Sequence, residues 1–406
     1  MTSPETITIA AQDVNEDRYS RLRLIPWWDQ KKMAATRVLV IGAGALGNEI
    51  LKNLALLGFR QIVIVDLDRI EESNLSRTVL FHASDIGRFK ADVAAKGVRA
   101  IFPGAFVRPL VANVLHDCGL GLFWWSDIII AGLDNREARL WINRSAWKMN
   151  RPWIDGAIEG VNGVARVFLP GSAPCYECTL GETDWKLLEQ RMSCNLLTRE
   201  ANTEGKVPTT PTISSIIAGV EVQEAVKLIH GLPTLASRAY VFEGVNHTSY
   251  TVDYTESPDC MSHHVLESVV LLPEHSSDLT LDQLLQRAQA DLGSRDVVIE
   301  FSRDIIHKLA CPQCGVEEEV LAPLGTISLE QGRCPHDSKM RTVITAHGFS
   351  KTSPLGGHTL DKLGLPLFDV FTARSAQREC AYLLAGDCRQ VLGSEMPNSE
   401  APGRGQ

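Results

Sequence analysis

Residues Thr36–Asp68 read TRVLVIGAGALGNEILKNLALLGFRQIVIVDLD. The apolar run from Val38 to Ile41 has the length of a buried strand. Leu46, Ile50, Leu54 and Leu57 then recur at helical spacing, and Gln61 to Asp66 supplies a second buried strand. Between the first strand and the helix lies Gly42-Ala-Gly44-Ala-Leu-Gly47, a G-x-G-x-x-G, and Asp66 follows Gly42 by 24 residues. Glycines at such a turn let backbone N–H groups approach a phosphate at the helix N-terminus, where the dipole favours anions. A carboxylate ending the second strand takes ribose hydroxyls. Gly42, Gly44, Gly47, Asp66 and Asp68 are therefore candidate nucleotide-binding residues. The turn alone suits NAD as well as ATP.

Working outward, helical patterns at Lys90 to Ala100 and Asn135 to Met149 alternate with strand patterns at Phe106 to Val111 and Asp127 to Leu133. Strands alternating with helices imply an α/β, Rossmann-like, doubly wound and mostly parallel sheet covered on both faces. From Pro152 the strands shorten, and PWIDGAIEG and GVARVFLP predict an antiparallel extension of that sheet. A helix follows from about Thr212 to His230, stopped by Gly231-Leu-Pro233, and then the strands RAYVFEGV and TSYTVDYT. Residues 18–264 thus form one domain behind a flexible N-terminus of residues 1–17. Val265 to Ser277 read as a connector, residues 278–393 as a smaller C-terminal α+β domain, and the Pro/Gly-rich residues 394–406 as a disordered tail.

The chain has 406 residues and a net charge of -9, without the clustered Lys and Arg that a nucleic-acid partner demands. GLGLFWWSDIIIAGL is the most apolar stretch, but Ser126 and Asp127 interrupt it short of the roughly 20 residues of a membrane span. It reads as a buried strand with its flanks, and no membrane partner is expected. The N-terminus lacks the basic start and apolar core of a signal peptide, so the expected compartment is the cytoplasm. There, ten cysteines are free thiols or metal ligands rather than a disulfide framework. Cys118, Cys380 and Cys388 have no companions and read as packed core thiols.

DLDRIEESNLSRTVLF, Asp66 to Phe81, places Asn74 and Arg77 one helical turn apart, and Lys90 follows in IGRFKADVAAK. An enzyme that grips an intact dinucleotide has little use for such cations. A nucleotidyl transferase must neutralise charge developing on a breaking phosphate, which Arg77 as a planar fork and Lys90 as a point charge can do. Asp134, in IIIAGLDNREARLWIN, ends a later strand on the ligand-binding edge of the sheet, where one carboxylate among phosphates suits Mg2+. Its competing reading is a cap for the helix beginning at Asn135.

Two knuckle pairs carry the pattern of tetrahedral Zn2+. Cys175-Tyr-Glu-Cys178 is matched, after 81 intervening residues, by Cys260-Met-Ser-His263-His264, with His263 favoured over His264 on spacing. Cys311-Pro-Gln-Cys314-Gly is followed 19 residues later by Cys334-Pro-His336. Asp337 occupies the position of the usual ligand there, but His336 is the better donor and is taken as the fourth ligand. Neither site keeps an open position, so both are expected to be structural, the second as a zinc ribbon.

RYSRLRL, VLVIGAGALGNEILKNLALLGF, IVIVDLDRIEESNLSRTVLF, GRFKADVAA and GLDNREARLWIN, in this order between Arg18 and His264, resemble the ubiquitin-activating-enzyme-like adenylyltransferases. That superfamily includes activators of sulfur carriers for molybdopterin and thiamine synthesis. The resemblance implies that Asp66 binds ribose, that Asn74, Arg77 and Lys90 surround the ATP phosphates, and that Asp134 holds magnesium. It also implies a homodimer in which Arg21 reaches into the second subunit's site, and a structural zinc at the first pair of knuckles. Thr78 departs from the Gln that many relatives have there.

The partner so implied is a ubiquitin-like protein entering through its C-terminal glycine tail. Its adenylate is a mixed anhydride that a thiolate can attack, and Cys194, in RMSCNLLTREANTEGKVPTTPTISSIIAG, is the candidate nucleophile. The resemblance points to the same crossover loop, although 13 residues separate Cys194 from Pro208, more than in close relatives. The thioester would pass to a conjugating enzyme, and the pattern is most like activators of bacterial ubiquitin-like conjugation systems. The alternative within the superfamily is thiocarboxylate formation on a sulfur carrier. An NAD-dependent oxidoreductase leaves Asn74, Arg77, Lys90 and the knuckles without a role, and an inactive scaffold subunit would be expected to have lost Arg77, Lys90 or Asp134.

Overall fold

The structure, a computed structural model, describes residues 16–172, 174–193 and 208–393, with the side chains of 189–193 left aside. Cys194 and the termini 1–15 and 394–406 therefore lie outside the described residues.

The chain runs through α1 (Gln30–Ala35), β1 (Arg37–Ile41), α2 (Ala45–Leu57), β2 (Gln61–Val65), α3 (Lys90–Ile101) and β3 (Phe106–Leu110). Next come α4 (Leu120–Trp125), β4 (Ile128–Ala131), α5 (Arg136–Lys148), β5 (Trp153–Glu159) and β6 (Asn162–Phe168). The first unit is completed by α6 (Glu182–Ser193), α7 (Pro211–Ile229), β7 (Arg238–Glu243) and β8 (Thr248–Asp253). Its eight-stranded sheet has the order β3-β2-β1-β4-β5-β6-β7-β8. The strands from β3 to β5 are parallel, and β6, β7 and β8 extend the sheet antiparallel. Strand order reverses between β1 and β4, which opens a crevice at their C-terminal ends.

One face of the sheet is covered by α2, α3 and α7, where Ile50, Leu54, Val98, Ile217 and Val222 join Val38, Val40 and Ile62 in one core. Helix α7 starts at Pro211 behind Thr210, whose hydroxyl accepts from the Ile213 amide, so the predicted helix is shifted by one residue. On the other face the apolar stretch around Trp125 divides into α4 and β4, where the sequence reads as one strand with flanks. The correction has a simple cause: Leu120, Leu122, Phe123 and Trp125 are buried on more than one side, and a run apolar all round carries no period. No helix among the described residues is long and apolar enough to cross a membrane.

The second unit holds β9 (Val269–Leu272), α8 (Leu281–Leu292), β10 (Val298–Ala310), β11 (Glu317–Pro323), β12 (Thr342–Phe349), β13 (Val370–Arg374), β14 (Glu379–Leu384) and α9 (Cys388–Leu392). Its sheet runs β11-β10-β13-β14-β9, with β12 also on β10. The expected connector from Val265 to Ser277 is corrected here, because β9 within it pairs parallel with β14. This sheet begins ahead of Asp278.

The two sheets share a core in which Phe368, Val370, Leu383 and Leu392 pack with Leu39, Val63, Phe123 and Ile142. Polar contacts pin the same interface. Arg303, buried, donates to the carbonyls of Leu115 and Cys118 at 2.6 Å each, and buried Asp369 accepts from the Leu120 amide at 2.8 Å. At Gly121 an added Cβ would lie 2.3 Å from the Phe368 carbonyl, so the close approach requires glycine. Cys118 and Cys388 are buried in this shared core, and burial pushes their thiols up to about 12 and about 11. Cys380 is half-buried, and burial raises it too.

Candidate functional site

The glycine turn is held from three directions. The Gly42 amide donates to the Val65 carbonyl at 2.8 Å, joining the turn to β2. Asp66 accepts the Ala43 amide at 2.7 Å on one carboxylate oxygen and the Asp68 amide at 2.8 Å on the other. Buried Asn48 donates to the carbonyls of Ala43 and Gly44 and accepts the Leu80 amide at 2.9 Å. At Gly47 a Cβ would sit 2.0 Å from the Gly42 carbonyl, which fixes glycine there and allows α2 to start against the turn. Asn48 was not singled out from sequence. Its signal is a polar side chain among the buried positions of an otherwise apolar helix face.

Above the turn opens a cleft of about 870 Å3, lined among others by Gly42, Gly44, Asp66, Asp68, Asn74, Arg77, Lys90 and Asp134. Residues read from separate motifs thus converge on one space. Gly47 stands behind the turn, outside the lining, and Arg21 is an exposed residue at the start of the 3-10 turn Leu22–Leu24, also outside the lining.

Asn74 is buried, and its Oδ1 accepts the Glu71 amide at 2.9 Å, closing the 3-10 turn Glu72–Asn74. Its backbone carbonyl then accepts the Arg77 amide at 3.0 Å and the Thr78 hydroxyl at 2.9 Å. Asn74 therefore shapes the loop that presents Arg77, and its Nδ2 remains as the group it can offer a phosphate. Arg77 is half-exposed and donates through one guanidinium nitrogen to the Ser73 carbonyl at 2.7 Å. Lys90, first residue of α3, forms a 2.7 Å ion pair with Asp68. Burial lifts the Asp66 carboxyl above its usual range, against the pull of Lys90 and of the two amides it accepts.

Asn135, not Asp134, caps α5: its side chain accepts the Glu137 and Ala138 amides at 2.8 and 3.4 Å. That removes the capping reading of Asp134, which is exposed and engaged in no hydrogen bond among the described residues.

The far wall carries charges that sequence reading missed. Asp155, fully buried on β5, accepts from Arg139 at 2.7 Å and from Arg166 at 2.9 Å, and both arginines line the cleft. Arg136 pairs with Asp184 of α6 at 2.9 Å. Behind this wall Glu221 of α7 is fully buried with neither carboxyl oxygen partnered among the described residues, and burial, helped by Asp155, raises its pKa well above the usual value. A carboxyl that is neutral when folded and ionised when unfolded weakens the fold progressively as pH rises above its unfolded pKa, until the raised folded pKa is reached. Glu221→Gln, which mimics the neutral acid, is thus expected to match wild type near pH 4 and to gain up to about 1.4 kcal/mol per pH unit above that. Denaturant melts at stepped pH measure the gap, and a gap that does not change with pH would contradict the assignment.

Cys175, Cys178, Cys260 and His263 present ligand atoms all within 4.8 Å of one another. Cys175 Sγ lies 3.8 Å from Cys178 Sγ and 3.5 Å from Cys260 Sγ, and His263 Nε2 lies 3.4 Å from Cys178 Sγ. Tetrahedral bonds of about 2.3 Å put sulfurs about 3.8 Å apart, so the spacing fits Zn2+ and is far too long for a disulfide. His263 is held in this orientation, with Nδ1 3.2 Å from Glu256 and the ring stacked on Trp147 at 4.8 Å. The second cluster unites Cys311, Cys314 and Cys334 with Asp337. His336 is corrected here: it is exposed and stands outside the cluster, because a knuckle turns its third residue after the first cysteine inward and the second outward.

Comparison with known proteins follows the same division of the chain. Residues 16–262 match the ThiF family. The NEDD8-activating enzyme E1 catalytic subunit of Arabidopsis thaliana is 43% identical over 157 residues, which cover 36% of this chain and 34% of that protein. The ubiquitin-activating enzyme E1-like protein of Saccharomyces cerevisiae is 38% identical over 155 residues, covering 38% of this chain and 24% of that one. The matched part thus spans about a third or less of these relatives. Among solved structures, E. coli MccB with ATP superposes with a TM-score of 0.52 at 22% identity, over 62% of this chain and 75% of that one, a likeness of fold. With a family match covering more than half of the residues and a doubly wound sheet carrying the glycine turn, the chain belongs to the ThiF family.

Proposed function

We propose that this protein uses ATP to adenylate the C-terminal carboxylate of a ubiquitin-like protein and then takes the acyl group onto Cys194 as a thioester for hand-over to a conjugating enzyme. The observation that carries this reading is the convergence of the glycine turn, Arg77, Lys90 and Asp134 on one cleft. A carboxylate oxygen of the partner's glycine tail attacks the α-phosphorus, the bond to the β-phosphate oxygen breaks, and pyrophosphate leaves. ATP supplies the electrophilic phosphorus and the leaving group, and Asp134 would hold a magnesium ion whose charge would offset that of the phosphates.

The amides at the start of α2, beyond those of Gly42 and Ala43 that hold the turn, are placed on the phosphates, and Asp66 takes the ribose. Arg77 turns its free fork nitrogens to the phosphoryl oxygens, and Lys90 exchanges Asp68 for the more strongly charged phosphate. Arg139 and Arg166 are held too firmly by Asp155 to follow the reaction, and they fix the opposite wall. Arg21 completes the site from a second copy of the chain.

The thiolate of Cys194 then attacks the acyl carbon and AMP leaves. Six of the ten cysteines belong to the two clusters, and burial raises the pKa of Cys118, Cys380 and Cys388, which leaves Cys194. The chain on both sides of it belongs to the cleft, through Asp184 on α6 and Thr209 just before α7. Zinc at Cys175, Cys178, Cys260 and His263 would tie the chain after β6 to the chain after β8, a structural role.

The test is incubation with ATP, magnesium and candidate ubiquitin-like partners, read on non-reducing gels and by pyrophosphate exchange. Wild type is expected to give an adduct lost on adding thiol, and Cys194→Ala no adduct but undiminished exchange. An adduct surviving in Cys194→Ala would move the nucleophile elsewhere, and exchange with no adduct in wild type would favour sulfur-carrier activation.

A further inference from the structure

Beyond the residues matched by the family, the three-stranded end of the second sheet carries two turns built to one plan. Strands β11 and β12 both pair with β10, and Ala310 faces Glu317 on one side and Thr342 on the other. In the first turn the Gly315 amide donates to the Cys311 carbonyl at 3.0 Å and the Cys311 amide to the Val316 carbonyl at 2.9 Å. In the second, the Ser338 amide donates to the Cys334 carbonyl at 2.8 Å and the Cys334 amide to the Lys339 carbonyl at 2.7 Å. The fifth residue of each turn is left-handed, Gly315 at φ +71° and Ser338 at φ +59°. Aligned by these bonds, Cys-Pro-Gln-Cys-Gly-Val and Cys-Pro-His-Asp-Ser-Lys place Asp337 in the position of Cys314.

We infer that Cys311, Cys314, Cys334 and Asp337 bind one zinc ion, with a carboxylate rather than an imidazole as fourth ligand. The ligand atoms of the four residues lie within 4.8 Å of one another, Cys314 Sγ is 3.6 Å from Cys334 Sγ, and Cys311 Sγ is 3.4 Å from Asp337 Oδ2. Asp337 Oδ1 meanwhile accepts the Lys339 amide at 3.0 Å. One carboxylate oxygen therefore faces the metal while the other is fixed by backbone, the arrangement that holds a monodentate ligand in place. Three thiolates select a soft or borderline ion, and a carboxylate in the fourth place suits zinc better than copper(I).

The site also has work to do. The apolar cluster beneath these strands has three buried residues, Ile306, Leu309 and Ile327, with Val320, Ala322, Leu324 and Val343 partly buried against them, a small core to which metal binding adds folding free energy. This inference is independent of the reaction proposed for the cleft, because it is read in metal content.

The full-length protein, purified without chelator, is expected to carry one zinc for each cluster by elemental analysis. Asp337→Ala should lower affinity at the second site by at least about 10-fold in chelator competition, the low end of what losing even an outer-shell partner does. Asp337→Cys should keep the metal, and His336→Ala should behave as wild type. Cobalt-substituted wild type should show thiolate charge-transfer bands that weaken by about half in Cys311→Ser/Cys314→Ser. The inference is overturned if His336→Ala releases zinc as Asp337→Ala was expected to, if Asp337→Ala binds as tightly as wild type, or if wild type holds a single equivalent. Should Asp337→Ala not fold, Asp337→Cys and His336→Ala decide the matter between them.

Discussion

Arg77→Ala is expected to slow ATP–pyrophosphate exchange on the order of 10²–10³-fold, equivalent to about 2.7–4 kcal/mol of lost transition-state stabilisation. The prediction follows from where the side chain sits. Arg77 is half-exposed, and among the described residues its guanidinium bonds only to the Ser73 carbonyl, through one nitrogen, so the rest of its fork is left for the cleft. Charge on the departing pyrophosphate grows as the bond breaks, and a fixed guanidinium interacts with it more strongly than with bound ATP. The loss should therefore appear in kcat, with a smaller change in KM. Arg77→Lys should recover only part of the rate, because an ammonium cannot reproduce the planar two-point contact. The unfolding temperature should be nearly unchanged, which separates the chemical loss from a folding defect. Exchange at wild-type rate in Arg77→Ala would remove the electrostatic argument.

Asp155→Ala is expected to destabilise the protein by about 3–5 kcal/mol, the range for removing one partner from a buried ion pair. Asp155 is fully buried between Arg139 and Arg166, and β5 to β6 register sets it directly across from Arg166. Without it two guanidinium groups remain in the wall, and Arg139 retains its bonds to the carbonyls of Leu133 and Gly156 while Arg166 has lost its carboxylate. Asp155→Asn should be milder in stability, since an amide still accepts hydrogen bonds, but should also lower exchange because the wall arginines are no longer fixed. Denaturant midpoints read the first effect and exchange kinetics the second. A stability within about 0.5 kcal/mol of wild type, the ordinary range for surface substitutions, would show that the network is not structural.

The contrast between these two positions shows what could be read from the chain. Gly42 to Gly47, Asp66, Lys90 and Asp134 each sit in a local pattern whose period or turn chemistry assigns a strand end or a helix start, Arg77 lies on the loop between β2 and α3, and the doubly wound sheet brings them to one edge. The Arg139–Asp155–Arg166 network has no such pattern, because its members lie on α5, β5 and β6 and meet only through the β5–β6 register and the packing of α5 on the sheet. From sequence Asn74 is a phosphate ligand alone, whereas most of its bonds shape the loop that carries Arg77. At the second cluster the spacing already pointed to Asp337. The greater affinity of imidazole for zinc favours His336 on sequence grounds, whereas the turn geometry sets Asp337 beside the three thiols. The connector failed for a different reason: β9 is four residues long and half-exposed, too short for alternation to stand out.

The reaction proposed for the cleft makes a species of defined mass, the acyl-AMP anhydride of a ubiquitin-like protein. Intact-mass spectrometry of the partner, after incubation with ATP, magnesium and Cys194→Ala, looks for it directly. An AMP adduct on the partner's terminal carboxylate, absent with Arg77→Ala and absent when the terminal glycine is deleted, is the predicted outcome. A partner that stays unmodified across the candidate ubiquitin-like proteins tried, while the cleft binds and turns over NADH, would contradict the account.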